Sequence, residues 1–288
     1  MNPVFDILKF NPIEDKYNIY FFRALNMADL NDVENEITAN KNIINRIRTD
    51  RERFEEENNI KAKYSDSIEI TLEEMWDHIR INYLKETNCI SMSCNAKISL
   101  DYGRQYQNRF ILIKIKKENN NIYNAGQYML SKIEEKIVEC VEKLPRNSFE
   151  IKIINKIKNE NTLFGVLNDI SDIYSINYNF STKKFFTQKR IKSLKYRRFF
   201  KKSYFSNEQE LEYNKIIAKL TVLETFKKVS PIINKTLNND SLIDTIDRAF
   251  SSFEVIHYGQ IKKEEFIEIS KEEMEMFAMI QNIKTKFK

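Results

Sequence analysis

Apolar and polar positions alternate most clearly in a few short stretches of the chain. KYNIYFFRAL (16–25) puts Ile19, Phe21 and Arg23 on one face of an extended segment and Tyr20, Phe22 and Ala24 on the other, which predicts a first strand over 17–25. RFILIKIKK (109–117) is the plainest strand pattern, rich in Ile and alternating with Lys. NCISMSCN (88–95) reads as a short strand, FEVIHYGQI (253–261) as strand then turn, and EFIEI (265–269) as another short strand.

Between these, the apolar spacing lengthens to three and four residues. From Met27 a helix is expected, with Asp29 able to cap it and Leu30, Val33, Ile37, Ile43, Ile44 and Ile47 along its stripe. The polar stretch 48–67 reads as solvated helix or loop. Thr71 opens a capping-box pattern, TLEE, ahead of a helix carrying Leu72, Met75, Trp76, Ile79 and Leu84. NAKISLDYG is a short helix, with Gly103 expected as its left-handed cap. A helix is expected over 124–144. A further one is expected over 146–157, where β-branched content leaves strand open, and 160–180 is ambiguous. The strongest helix pattern, 207–229, stops before Pro231, and KEEMEMFAMIQNIK is an amphipathic closing helix. Strand patterns thus lie towards both ends of the chain, around a mostly helical block at 120–250. This favours an α+β class: one domain over 1–288, the block being an insertion or a flanking layer.

Composition narrows the class. The 288 residues are 42% hydrophobic and 12% aromatic, enough for a sizeable core, and four glycines with four prolines argue against a loop-rich all-β protein. The charge is mixed, 47 basic against 42 acidic residues; a net +5 permits an anionic partner without requiring one. Three cysteines, Cys89, Cys94 and Cys140, form no C-x-x-C pair, so no disulfide framework or zinc site is expected and a reducing cytoplasm fits. The first residues lack a signal-peptide pattern and no apolar run approaches a membrane span, so a cytoplasmic protein without a membrane partner is expected.

Most common chemistries lack their motif. The two histidines, His78 and His257, are far apart, and each reads as a satisfied core or surface residue rather than a metal ligand. Neither phosphate-binding glycine pattern occurs, nor does G-x-S-x-G. The segment 182–205, TKKFFTQKRIKSLKYRRFFKKSYF, holds ten Lys or Arg and seven aromatics. That mixture suits a phosphate backbone with stacking bases, and equally an exposed helix whose Phe pairs are buried. Four polar residues interrupt three apolar strands: Arg23, the pair Ser91 and Ser93, and Glu254. A guanidinium keeps its charge, so on a half-buried strand Arg23 needs an anion, either an internal carboxylate or a ligand. A carboxylate in Glu254's position likewise needs a partner or a task.

The order Arg, Ser-x-Ser, Glu resembles the Arg–Ser–Glu class of ADP-ribosyltransferases, the cholera-toxin-like and C3-like enzymes. Three patches carry the resemblance: YFFRAL, CISMSCNAKISLDYG with the strand after it, and SFEVIHYGQIKKEEFIEI, together about a third of the chain. It implies a split β-sandwich with flanking helices, the helical block being a large insertion without a counterpart. It also implies NAD as substrate. Arg23 would hold the NAD phosphate and adjoining ribose, Ser91 would orient the nicotinamide half and support the catalytic carboxylate, and Ser93 would support the strand. Glu254 would bond the nicotinamide ribose and stabilise the cationic sugar formed as nicotinamide leaves. Tyr102 stands between core packing, the commoner use, and a place near the nicotinamide.

Many members of that class carry Glu or Gln two residues before the catalytic Glu, where this chain has Ser252. Arginine or asparagine as acceptor is therefore in doubt, and the macromolecular acceptor, protein or nucleic acid, stays open. By analogy with the class, a bacterial toxin or defence effector is the expected setting. Rival expectations are an NAD glycohydrolase, a nucleic-acid-binding protein using 182–205, and an inactive scaffold on the same fold.

Overall fold

The computed structural model describes residues 13–26, 29–30, 46–80, 86–104, 108–146, 148, 150–151, 227, 230–236 and 242–286. The expectations for 160–180, for the basic segment 182–205 and for the helix at 207–229 lie outside these residues, as do most of the helices expected after Met27 and after Arg146.

The described strands are β1 (Ile13–Glu14), β2 (Asn18–Ala24), β3 (Arg46–Ile47), β4 (Cys89–Ser93), β5 (Phe110–Lys116), β6 (Ile122–Asn124), β7 (Glu254–Tyr258), β8 (Ile261–Lys262) and β9 (Phe266–Ile269). The helices among them are α1 (Asp50–Asn58), α2 (Leu72–Ile79), α3 (Ala96–Gly103), α4 (Ala125–Glu142), α5 (Pro231–Thr236), α6 (Leu242–Ser251) and α7 (Lys271–Lys286). Seven strands form an antiparallel sheet in the order β6-β7-β4-β2-β5-β9, with β1 also pairing with β2, while β3 and β8 make a separate two-stranded pair. The fold is α+β. Among the described residues, no helix is long and apolar enough to cross a membrane.

The chain divides into two compact units, Met1–Leu130 with Asp244–Lys288, and Ser131–Ile243. All nine strands belong to the first. In the second, Ser230 Oγ donates to Glu150 Oε1 at 2.9 Å and Ile233 is fully buried.

Alternation explains the central strands. β2 and β5 are in register along their full lengths, from Asn18 opposite Lys116 to Ala24 opposite Phe110. The row Ile19, Phe21, Ile111, Ile113 and Ile115 is buried on one face, and Arg23 extends that row. On the other face Phe22 and Phe110 are fully buried beneath α3 and α7, in a cluster with Ala96, Ile269, Met274 and Ala278. Asn95 caps α3 through its side-chain oxygen, which accepts from Lys97 N at 3.0 Å. Ser99 Oγ ties α3 to β2 by donating to the Phe22 carbonyl at 3.2 Å.

Several expectations change. Ile47 is not helical: Arg46–Ile47 is extended and pairs with Ile261–Lys262. The helix opened by Thr71 stops at Ile79, where Arg80 turns extended. The stretch 48–67, expected as helix or loop, does hold a helix, α1, capped by a reciprocal Thr49–Glu52 box. Gly103 is not a left-handed cap, since Gly259 is the described glycine with positive φ. Its lack of a side chain serves close approach instead: a Cβ there would lie 2.2 Å from a Phe110 ring carbon. The ring belongs to a filled core and has nowhere to go. Gly103→Ala is therefore expected to lower unfolding free energy by roughly 1–3 kcal/mol, read as a lower urea midpoint at unchanged slope. An unchanged midpoint would show that the ring does move aside.

Candidate functional site

β2 and β4 are neighbours at one registered pair, Phe22 with Ser93. Beyond it, towards Arg23 on β2 and Ser91 on β4, the ladder does not continue. There a cleft of about 220 Å³ opens, lined by Arg23, Asn26, Ser91, Ser99, Tyr102 and Glu254 among others. Arg23, Ser91, Ser93, Tyr102 and Glu254, spread over more than two hundred residues of sequence, all line it.

Arg23 is both an internal ion pair and a wall of this cleft. Its Nε donates to Asp29 Oδ2 at 3.0 Å and its Nη2 to Asp29 Oδ1 at 3.1 Å, a bidentate fork. Its Nη1 reaches across the parted strands to the Ser91 carbonyl at 2.5 Å. Asp29 is fully buried, and it is also bound by Arg53 Nη2 at 3.0 Å. Arg53 Nη1 also lies 3.6 Å from Asp50 Oδ1, so the two guanidiniums are answered by two carboxylates. Asn26 locks it further: its side-chain oxygen accepts from Asp29 N at 2.9 Å, while Asp29 Oδ2 accepts from Asn26 N at 3.1 Å. A guanidinium has five N–H donors, so these three bonds leave Arg23 with capacity for an anion at the cleft.

Across the cleft, β4 and β7 pair in register from Cys89 opposite Tyr258 to Ser93 opposite Glu254. That register sets Ser91 diagonally from Glu254, and Ser91 Oγ donates to Glu254 Oε1 at 2.6 Å. Ser93 does structural work: its oxygen accepts from Asn95 N at 3.1 Å and its hydroxyl donates to the Ser252 carbonyl at 3.3 Å. Phe253, immediately before Glu254, sits at φ 52° and is buried. A bulky residue there is strained by about 1–2 kcal/mol, and packing must hold it. This turn brings α6 directly into β7 and sets Glu254 at the strand's first position.

Tyr102 is not a core residue, as the commoner expectation had it: it is 51% exposed at the rim of the cleft. His78, expected as a satisfied core or surface residue, is satisfied, and its place beside Ser91 is what the sequence did not show. It is neither isolated nor exposed; its side chain is 8% accessible, with Nε2 2.9 Å from Ser91 Oγ and Nδ1 2.8 Å from Thr87 Oγ1. Arg51 N in turn donates to the Thr87 carbonyl at 3.0 Å, fixing Thr87 against α1. The available signal was spacing: His78 follows Met75 by three on a helix whose Met75, Trp76 and Ile79 are all buried, so it flanks the inward stripe. Asp50 Oδ2 lies 4.0 Å from Nδ1, too far for a hydrogen bond, so Ser91, His78 and Asp50 do not form a nucleophile–base–acid triad.

No family model matches the chain, and no curated protein or solved structure does either.

Two expectations follow from this electrostatics. Asp29→Ala leaves two guanidiniums facing each other without their shared anion and is expected to cost roughly 3–5 kcal/mol, seen in chemical denaturation. A loss within a few tenths would mean that water replaces the carboxylate. The second concerns acid. Burial pushes His78 below its ordinary 6.5, outweighing the upward pull of the Asp50 and Glu254 carboxylates; burial also lowers His257. Both histidines thus bind protons more readily in the unfolded chain. Their contribution to stability is full above pH 6.5 and is lost as pH falls through their folded-state values. Stability should fall as pH drops below 6.5, by at most about 1.4 kcal/mol per pH unit for each histidine. His78→Gln should remove part of that slope, and an unchanged slope in the variant would assign it elsewhere.

Proposed function

We propose that this protein is an NAD-dependent ADP-ribosyltransferase of the Arg–Ser–Glu kind, with NAD as substrate and nicotinamide as leaving group. The observation that carries the reading is the 2.6 Å bond from Ser91 to Glu254 in the same cleft as the Arg23 guanidinium. An antiparallel sheet whose β2–β4 ladder is a single registered pair, with the arginine on β2 and the carboxylate on β7 beside β4, supports it.

The residues fit the chemistry. Arg23, already neutralising Asp29, has donors left for a pyrophosphate oxygen. Glu254 has Oε1 engaged by Ser91. Its Oε2 lies 3.3 Å from Ser252 Oγ, whose nearest acceptor is instead the Arg248 carbonyl at 2.7 Å. A single hydroxyl proton goes to the nearer acceptor, which leaves Oε2 for a sugar hydroxyl. As the glycosidic bond to nicotinamide breaks, its electron pair leaves with the base and positive charge grows on the ribose. Glu254 stabilises that charge electrostatically. A nucleophile then bonds to the same sugar carbon and gives up its proton. Ser252 is no carboxylate and is tied back to its own helix, so it is not a base for that step. The acceptor therefore brings its own reactivity, and water is one candidate. Tyr102 offers an exposed ring at the rim where a flat nicotinamide or acceptor would pass.

Nicotinamide release from NAD tests this. Glu254→Gln is nearly isosteric and should fold normally while release falls by roughly 100-fold or more. Equal release by both proteins, or neither release nor calorimetric NAD binding by the unaltered chain, would overturn the reading.

A further inference from the structure

We propose that the outward face of α7 is a dimerisation surface, on which a second copy of this chain lays the same helix antiparallel. The inference goes beyond the transferase reading and does not depend on it.

A helix packed on one side of a fold needs one apolar stripe, and α7 carries two. The inner stripe is committed. Met274 and Ala278 are buried in the cluster with Phe22 and Phe110, and the Phe277 ring lies 5.5 Å from that of Phe22. Gln281, further along the same side, holds the turn between β4 and α3. Its Oε1 accepts from Ala96 N at 2.9 Å and its Nε2 donates to the Cys94 carbonyl at 2.7 Å.

At about 3.6 residues per turn, these contacts leave Met276, Met279 and Ile280 on the opposite side of the helix. Their exposures are 52%, 64% and 38%. The helix period carries the row on to Ile283, so that positions 276, 280 and 283 follow the alternating four- and three-residue spacing of a paired-helix seam. Two unbranched methionines let such a face adapt to what covers it.

Charge selects the occupant. The first turns of α7 hold Glu272, Glu273 and Glu275, and its end holds Lys284 and Lys286. A parallel pair would set acid against acid and lysine against lysine. An antiparallel pair sets each acidic half against the lysines of the other copy, opposes the two helix dipoles, and brings position 276 of one helix towards 283 of the other. The chain is thus its own complement across a two-fold axis. The local engagements of these acids do not prevent this. Glu273 accepts from Ser270 N at 2.7 Å as a cap, and Glu275 lies 3.7 Å from an exposed Lys271, a surface contact that exchanges at little cost.

Sedimentation equilibrium of the full chain tests the proposal. A dimer is expected at micromolar concentration, loosened by added salt. Met276→Glu combined with Ile280→Glu should raise the dissociation constant at least about 10-fold, with the thermal midpoint of the monomer unchanged because both side chains are exposed. Lys284→Glu with Lys286→Glu should also weaken the dimer, and adding Glu272→Lys with Glu275→Lys to the same chain should restore it in part. Orientation is read by mild oxidation against the unaltered chain. Met279→Cys, near the centre of an antiparallel pair, should give a covalent dimer, and Glu272→Cys, near its end, should not. A chain that is monomeric at every concentration overturns the proposal and leaves the stripe to a partner of another sequence. A dimer indifferent to the Met276 and Ile280 substitutions, no recovery in the fully charge-reversed chain, or a covalent dimer of Glu272→Cys overturns it equally. So does a lowered thermal midpoint in the Met276 and Ile280 variant, which would show that the chain itself covers the stripe.

Discussion

Everything at the candidate site depends on β2 and β4 being joined at a single registered pair. Phe22 lies opposite Ser93, and past it the two strands part. A continuous ladder would bury the Ser91 carbonyl in backbone pairing; here a side chain satisfies it. Arg23 Nη1 takes the place a strand amide would have had, at 2.5 Å. The Arg23 guanidinium spans the two strands where their backbone ladder ends.

That solution puts a permanent cation on the buried row of β2, and a second buried charge answers it. Asp29 is fully enclosed, yet both of its oxygens accept from guanidiniums and it also accepts from Asn26 N. An ion pair so far from water costs desolvation that good geometry only roughly offsets. Its retention is better explained by what it holds in place. Arg53 is a second cation on the same carboxylate and is itself answered by Asp50, so what stands at the cleft is the Arg23 guanidinium on one side and Glu254 on the other.

The opposite lip is held by different means. Glu254 follows directly on a residue forced into the left-handed region, and its carboxylate is engaged by a serine that lies 2.9 Å from a buried histidine. Strain at Phe253 is tolerated because its ring is packed. Rigid elements thus carry the reactive groups on both sides: a strand pinned by a carboxylate on one, a strand pinned through a helix on the other.

The amino-acid sequence by itself determined the elements that carry the site. Period-two alternation placed β2, β4, β5, β7 and β9 within a residue or two, and the capping pattern at Thr71 marked where α2 begins. These signals are local, arising from neighbours a few residues apart, so they are legible in one dimension. Arg23, Ser91 and Glu254 also announced themselves, because a polar group on an apolar strand contradicts its surroundings. Only the tertiary structure decided what those residues meet. That Asp29 is the partner of Arg23, that Gly103 makes room for Phe110, and that His78 stands behind Ser91 are facts of long-range packing. Short strands such as β3, β6 and β8 were invisible for the same reason: two or three residues hold no periodicity, and their extended form is imposed by the strand alongside.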